Sequence, residues 1–286
     1  MANSIALPVS YLQALDLMYK RGSLTSILDN AEAQMVGKEF KIKQVTVQGP
    51  GAISRGGAFV SGDANVGWQT VTPDYDRGRK FSIDALDEME VGGMYMDVAA
   101  EYERVWSIPE IDAYRFAKYA AAKGAGAEAT LTAATAIAAI NTAMGSMDTN
   151  EVPLEGRILF IEASLYRAIQ TLDTTKSRET LADFAQIVPV PQTRFYTAIT
   201  MYDGSTSGQE AGGYIKNATT GLNINFMIVH PTAVTQAIKR TTTPVDAPDA
   251  DYDSYRVANR KYGYCAVKSK KTYGVYLHNV AAVVGE

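Results

Sequence analysis

The chain has 286 residues, of which 47 % are hydrophobic and 20 % charged, with a formal net charge of −4. This composition excludes a disordered chain and leaves room for one large domain or two modest ones, while the acidic balance excludes a protein built to coat nucleic acid by neutralising phosphates. The single cysteine, Cys265, excludes an intrachain disulfide and a cysteine-based zinc site.

Residues 1 to 36 read as an arm. Leu12, Leu15, Leu17 and Met18 suit a short helix, interrupted at Arg21-Gly22. The N-terminal stretch lacks a basic flank followed by a long apolar run, so it is no signal peptide. No run of the chain approaches eighteen apolar residues, the length that would suggest a membrane span. From residue 38 the pattern changes to alternation, with Val45 and Val47 on one face and Thr46 on the other. A stretch with glycines at 49, 51, 56, 57, 62 and 67 follows, and then a second strand-like limb with Trp68, Val71, Phe81 and Ile83. Together these predict a long hairpin over 38–84, each limb reaching on the order of 35–50 Å at about 3.3 Å per residue. A two-stranded ribbon is marginal alone in water and calls for a surface to lie on.

Val91, Met94, Tyr95, Val98, Tyr102 and Val105 recur at helical spacing. Ser107 and Glu110 have capping-box spacing and Pro109 lies in the first turn, so 84–123 reads as one kinked helix or two consecutive ones, stopping at Gly124. "GAGAEA" at 124–129 reads as a helix-to-helix turn, and 128–147 as an alanine-rich helix. "RILFIEASLYRAI" is strand then helix, "FAQIVPVP" and "NINFMIV" are strands, "PTAVTQAIKR" is a helix, and the last segment is two strands around a lysine turn. The fold class is therefore α+β, with helices and strands mixed throughout.

A search for chemistry leaves no catalytic, cofactor-binding or metal constellation. The glycine stretch at 49–67 is not a P-loop, because Gly57 is followed by Ala58 where Lys-Ser or Lys-Thr is needed. The dinucleotide fingerprint fails at Ser54, which holds the third glycine position. "DADYDS" at 249–254 opens like a calcium loop, but Ser254 and Arg260 replace its glycine and glutamate. "GSTSG" at 204–208 centres on Thr206 rather than serine. His230 and His278, the two histidines, read as packed or surface residues.

The order of parts carries more than any one motif. "DYDRGRKFSIDALDEME" followed by "ERVWSIPEIDAYRFAKYAA", then "GRILFIEASLYRAI", "IVHPTAVTQAIKR" and "YGYCAVKSKKTYGVYLH", resembles the major capsid protein of tailed bacteriophages, with the Hong-Kong-97-type capsid fold. The resemblance covers nearly the whole chain. It implies an N-terminal arm over 1–37 and an extended loop over 38–84 lying across a neighbouring subunit. It further implies a peripheral domain with a long spine helix over 85–124 and 250–286, and an axial domain over 125–249. The implied protein is no enzyme and needs no cofactor. It assembles with itself into hexamers and pentamers around double-stranded DNA, without sequence-specific contacts and without a membrane. A portal protein is its implied partner. Because Met1 leads directly into the arm, a separate scaffolding protein is a further expectation. Assembly is expected in the host cytoplasm, ending in the virion.

Phe59 and Trp68 are the candidate aromatic anchors between subunits, with ordinary core packing as the other reading. Asp76, Arg77 and Arg79 are the candidate intersubunit ion pairs, with a solvated turn as the alternative. Two rival functions remain: an encapsulin-type compartment shell, which shares the fold, and a soluble α/β enzyme with a glycine-rich lid.

Overall fold

The computed structural model describes residues 22–30, 34–36, 39–53, 55–57, 59–172, 175–242, 245–248 and 253–281. The arm helix expected near residues 11–20, and most of the acidic 249–254 loop, lie outside them.

Alternation gives the first strands, β1 (Gln34–Val36), β2 (Glu39–Val47), β3 (Ala64–Val71) and β4 (Tyr75–Asp84). Helical spacing gives α1 (Ala85–Val91), α2 (Met94–Tyr102) and α3 (Ile108–Ala121). Then come β5 (Ala125–Glu128), α4 (Ala133–Thr149), β6 (Ile158–Glu162), α5 (Ala163–Leu172), α6 (Thr175–Ala182) and β7 (Gln186–Val190). The last third holds β8 (Ile199–Met201), β9 (Tyr214–Lys216), β10 (Ile224–Val229), β11 (Val234–Thr242), β12 (Val245–Asp246), β13 (Ser254–Val267) and β14 (Val275–Asn279).

These strands make two main sheets. One runs β5-β14-β10-β6-β7; the other has β13 at its centre, with β4 on one edge and β11 and β12 on the other. In β6, Ile158 and Phe160 enter the core shared with α3 and β13, while Leu159 and Ile161 enter the core under α4 and α5. A strand covered on both faces reads as an unbroken apolar run, as "ILFI" does. Phe116 of α3 sits at the centre of the first core, with its ring centroid 5.2 Å from Phe160 and 4.9 Å from Phe195, both edge-on.

The first limb of the expected hairpin forms, but the second divides. β3 pairs with β2 in register from Phe40–Val71 to Val47–Ala64, whereas β4 pairs with β13. Pro73 lies at the division, where a residue without an N–H cannot continue a ladder. Gly78 in β4 is fixed by this pairing: a Cβ there would lie 2.3 Å from the Asn259 carbonyl oxygen. Gly78→Ala therefore forces the two strands apart and costs about 2 kcal/mol or more, read as a fall in the urea midpoint.

Three local expectations are overturned. Residues 231–240, read as a helix, are a 3-10 turn at Pro231–Ala233 and then strand β11, paired with β13. At its start both faces are covered, with Val234, Thr235 and Gln236 all buried, so no polar alternation betrays it there. Residues 125–128, read as a turn, add as β5 in parallel to β14. Gly126 permits this approach, since a Cβ there would lie 2.6 Å from the Leu277 carbonyl oxygen. Ser107 does not begin a helix. Its backbone is helical and its side chain makes no cap, because α2 continues through a π-helical turn at Glu103–Ser107 into α3. The wider turn precedes Pro109, which has no N–H to give back to the helix.

The two terminal strands also part company, β13 in one sheet and β14 in the other. Sheet membership thus crosses the expected 125–249 boundary, since β11 joins β13 and β14 joins β10.

Residues 22–30 bind across α3 as a polar strap. Asp112, fully buried, accepts from the Ser23 and Thr25 hydroxyls and from the backbone N–H groups of Leu24 and Thr25. It also pairs with buried Arg194 at 3.0 Å. Gln236 donates to the Thr25 carbonyl and to Asp29, while Leu28 enters the core.

Candidate assembly surfaces

The β2–β3 hairpin has two unlike faces, set by the pleat. Cross-strand partners share a face, so Phe40 with Val71, Ile42 with Gln69 and Gln44 with Gly67 define one side. This inner side is anchored at its root. Phe40, Ile42 and Val71 are buried with Tyr264, and the Phe40 and Tyr264 rings stack at 4.2 Å. Farther out the anchor becomes polar. Gln69 donates to the Val267 carbonyl, and Gln44 donates to Gln69 and to Ser269 Oγ. Lys270 then donates to the Val45 carbonyl at 2.6 Å and to Thr46.

The outer side carries Lys43 with Trp68, Val45 with Val66, and Val47 with Ala64. Trp68 is 51 % exposed and Val47 68 %, with Val45 and Val66 also exposed. Beyond them, at the glycine-rich tip, Phe59 is 88 % exposed and Ile53 and Val60 are open to solvent. An apolar strip on a two-stranded ribbon is an association surface, because a strip left uncovered favours indiscriminate aggregation. The glycines of the tip serve the backbone: Gly56 has φ +84°, a left-handed conformation that β-carbon-bearing residues avoid.

Asp76, Arg77 and Arg79 lie on β4, away from the hairpin. Asp76 takes two hydrogen bonds from Arg260 at 2.7 and 2.5 Å. Arg77 clamps Glu110 of α3 through both carboxylate oxygens at 2.8 and 3.1 Å, and Tyr75 donates to the same carboxylate. Arg79 donates to the carbonyls of Ala211 and Glu210 at 2.8 and 2.9 Å. All three are therefore engaged within the subunit. Glu110, which the sequence suggests as a capping residue, is the buried anchor of Arg77. Sequence spacing could not show this, since the two lie on different elements. The cleft they line with Trp106, Tyr202 and Gly213 holds about 150 Å³. Of the two guanidinium groups facing it, Arg77 is paired with Glu110 and Arg79 is held by two backbone carbonyls.

No family model matches the chain, and no curated protein matches it. Solved structures do. The chain aligns with the capsid of cyanophage P-SCSP1u over 96 % of its length and 93 % of the other chain, with a TM-score of 0.67 at 14 % identity. It aligns with the mature capsid of bacteriophage PhiM1 over 98 % of its length and 93 % of that chain, with a TM-score of 0.70 at 12 % identity. This chain has a phage capsid fold. A structure from Mycobacterium phage Che8 agrees, covering 97 % of this chain and 98 % of its own, with a TM-score of 0.61 at 15 % identity.

Within this capsid fold the reactive side chains are occupied as packing or bonding residues. His230 pairs with the Thr232 hydroxyl at 2.8 Å and the Glu155 carbonyl at 3.1 Å. His278 stacks on Phe226 and meets Asn225 at 3.1 Å. Burial pushes the Cys265 thiol up to about 12, far from a reactive thiolate. Among the described residues, no group of three or more His, Cys, Asp or Glu side chains could hold a metal, and no helix is long and apolar enough to cross a membrane.

Burial lowers the pKa of both histidines, and for His230 nearby Lys271 adds to the effect. The folded chain thus favours neutral imidazole more than the unfolded chain does. This stability is present above the unfolded value of about 6.5 and is lost as pH falls through the folded values. Thermal melts from about pH 8 to pH 5 should show a declining midpoint, with a shallower decline in a His230→Asn, His278→Asn variant.

Proposed function

We propose that the chain is the major capsid protein of a tailed bacteriophage, a structural protein rather than an enzyme. Copies would assemble into hexamers and pentamers of an icosahedral shell around double-stranded DNA. The observation that carries this reading is the hairpin. On a capsid fold, it presents an apolar outer face of Val45, Val47, Val66 and Trp68 with nothing from its own chain laid over it among the described residues.

In this reading the hairpin region within 38–84 is the extended loop that covers a neighbour, and residues 1–37 supply an arm. The β13 sheet with α1 to α3 serves as the peripheral domain, and the five-stranded sheet with α4 to α6 belongs to the axial domain. Phe59 and Trp68 are the anchors offered to neighbours. Asp76, Arg77 and Arg79 tie β4 to β13, α3 and the loop before β9 and, where exposed, meet the next subunit. A portal protein and a separate scaffolding protein are the partners such a shell requires. The net charge of −4 suits a container that must not adhere to packed DNA. Assembly in the host cytoplasm completes the reading.

The test is sedimentation and electron microscopy of the purified chain, alone and with the co-expressed scaffold. Closed shells or capsomer rings are expected. A stable monomer under every condition would sink the proposal.

A further inference from the structure

The loop between β8 and β9, residues 203–213, carries no apolar side chain larger than alanine, so burial does little to hold it to the subunit. Arg79 of β4 holds it instead. Its guanidinium donates to the Glu210 and Ala211 carbonyls at 2.9 and 2.8 Å. Arg77 adds a longer bond to the Gly213 carbonyl at 3.3 Å. The Trp106 ring lies against Gly213, where a Cβ would come within 2.9 Å of it.

The loop is built to move as one piece. Asp203 accepts from the Ser205 and Thr206 N–H groups, and Glu210 from that of Gly208, so its shape is fixed from within. At its two ends stand Gly204 and the pair Gly212-Gly213, all with left-handed backbone at φ +70° to +78°. The ribbon that carries it has three residues in each strand and joins neither main sheet.

Carbonyl partners leave the charge of Arg79 unbalanced. The carboxylates that share its surroundings are engaged elsewhere. Glu110 is held by Arg77 and Tyr75, and Asp76 by Arg260. Glu103 is held by Lys261 and by Asn259, which lies opposite Arg79 on β13. Asp203 and Glu210 serve N–H groups of their own loop. A carboxylate takes both arms of a guanidinium in parallel and carries the opposite charge, so it is a stronger acceptor than two carbonyls. One brought to Arg79 from outside the subunit therefore competes with the loop.

Resting on the shell reading, we infer that residues 203–213 form a releasable latch on Arg79, shut in the free subunit and opened by a carboxylate of the next copy. Opening swings the loop off β4 and uncovers the side of Trp106 that lies against Gly213. The latch thus opposes association until a neighbour places its carboxylate at Arg79.

The shut state is read on the unassembled chain with a protease that cuts after glutamate. Glu210 is exposed, but the carbonyl of the Glu210–Ala211 bond and the next one along are both clasped. Arg79→Met, which keeps a long stem and removes the donors, should raise cleavage at that bond at least tenfold with the melting temperature unchanged. Arg79→Lys should fall between. Cleavage of both variants at the wild-type rate would overturn the latch. Release is read by replacing residues 203–212 with Asn-Gly, a two-residue turn that closes the ribbon and leaves Arg79 bare. Light scattering should show this variant assembling at a concentration at least tenfold below that of the wild type, and adding Arg79→Met should cancel the gain. An unchanged or higher concentration, or a gain that survives Arg79→Met, would overturn the release. If the wild-type chain forms no particles, the shell reading falls and the release with it, while the protease result still decides whether the latch exists.

Discussion

Asp112→Ala is expected to lower unfolding stability by about 3–5 kcal/mol, the largest single-residue effect in the subunit. The carboxylate is fully buried and holds the strap at Ser23, Leu24 and Thr25. Its removal leaves those donors without an acceptor. It also takes from Arg194, only 3 % exposed, the buried carboxylate it pairs with at 3.0 Å. Domains of this kind have only about 5–15 kcal/mol of stability to lose. The decisive comparison is with Asp112→Ala, Arg194→Leu. Removing the cation as well should recover part of the loss, although the backbone donors of the strap remain unsatisfied. Urea unfolding of the wild type, both singles and the double gives the coupling. Additive costs would mean that the ion pair is not the principal tie.

A second large effect is expected from Val45→Ser, Val66→Ser, Trp68→Ser. The subunit should fold with a melting temperature close to that of the wild type, because these side chains are half-exposed or more on the outer face. Assembly should fail. Covering that face with a neighbour is worth on the order of 3–5 kcal/mol per hairpin at about 25 cal/mol per Å². Such a loss raises the concentration needed for association by roughly two to three orders of magnitude at each contact. Repetition around a closed shell compounds it. Light scattering reads assembly and circular dichroism reads folding. Normal shells from the folded triple variant would show that the outer face is not an assembly surface.

The parts legible from sequence were those whose burial follows one period. Alternation revealed β2, and the glycine-rich tip with Trp68 marked the return limb. The "ILFI" and "FMIV" runs revealed the central strands β6 and β10. Expectation failed where long-range contacts overrule local pattern. Gln236 reads as a polar helix position, yet it is buried because Tyr119 of α3 and Thr25 and Asp29 of the strap satisfy it from two distant segments. β5 consists of alanine, glycine and glutamate, and only its fit against the backbone of β14 makes it a strand. Of the candidate contacts, Phe59 and Trp68 stand out in the sequence as isolated aromatics, and they are exposed. The partners of Asp76, Arg77 and Arg79 lie on α3, on β13 and in the loop before β9, and no spacing rule reaches across those elements.

The strap also fixes an order in time. Thr25 leaves the ribosome 211 residues before Gln236, which holds it. At roughly 5–20 residues per second, that gap is on the order of 10–40 s. Within that interval Asp112 and Arg115 of α3 are made first and Arg194 later, and Gln236 comes last. A segment synthesised early is therefore among the last to settle. A ribosome stalled before residue 236 would hold a chain whose strap at residues 22–30 is still open to protease, and one released past β13 would not.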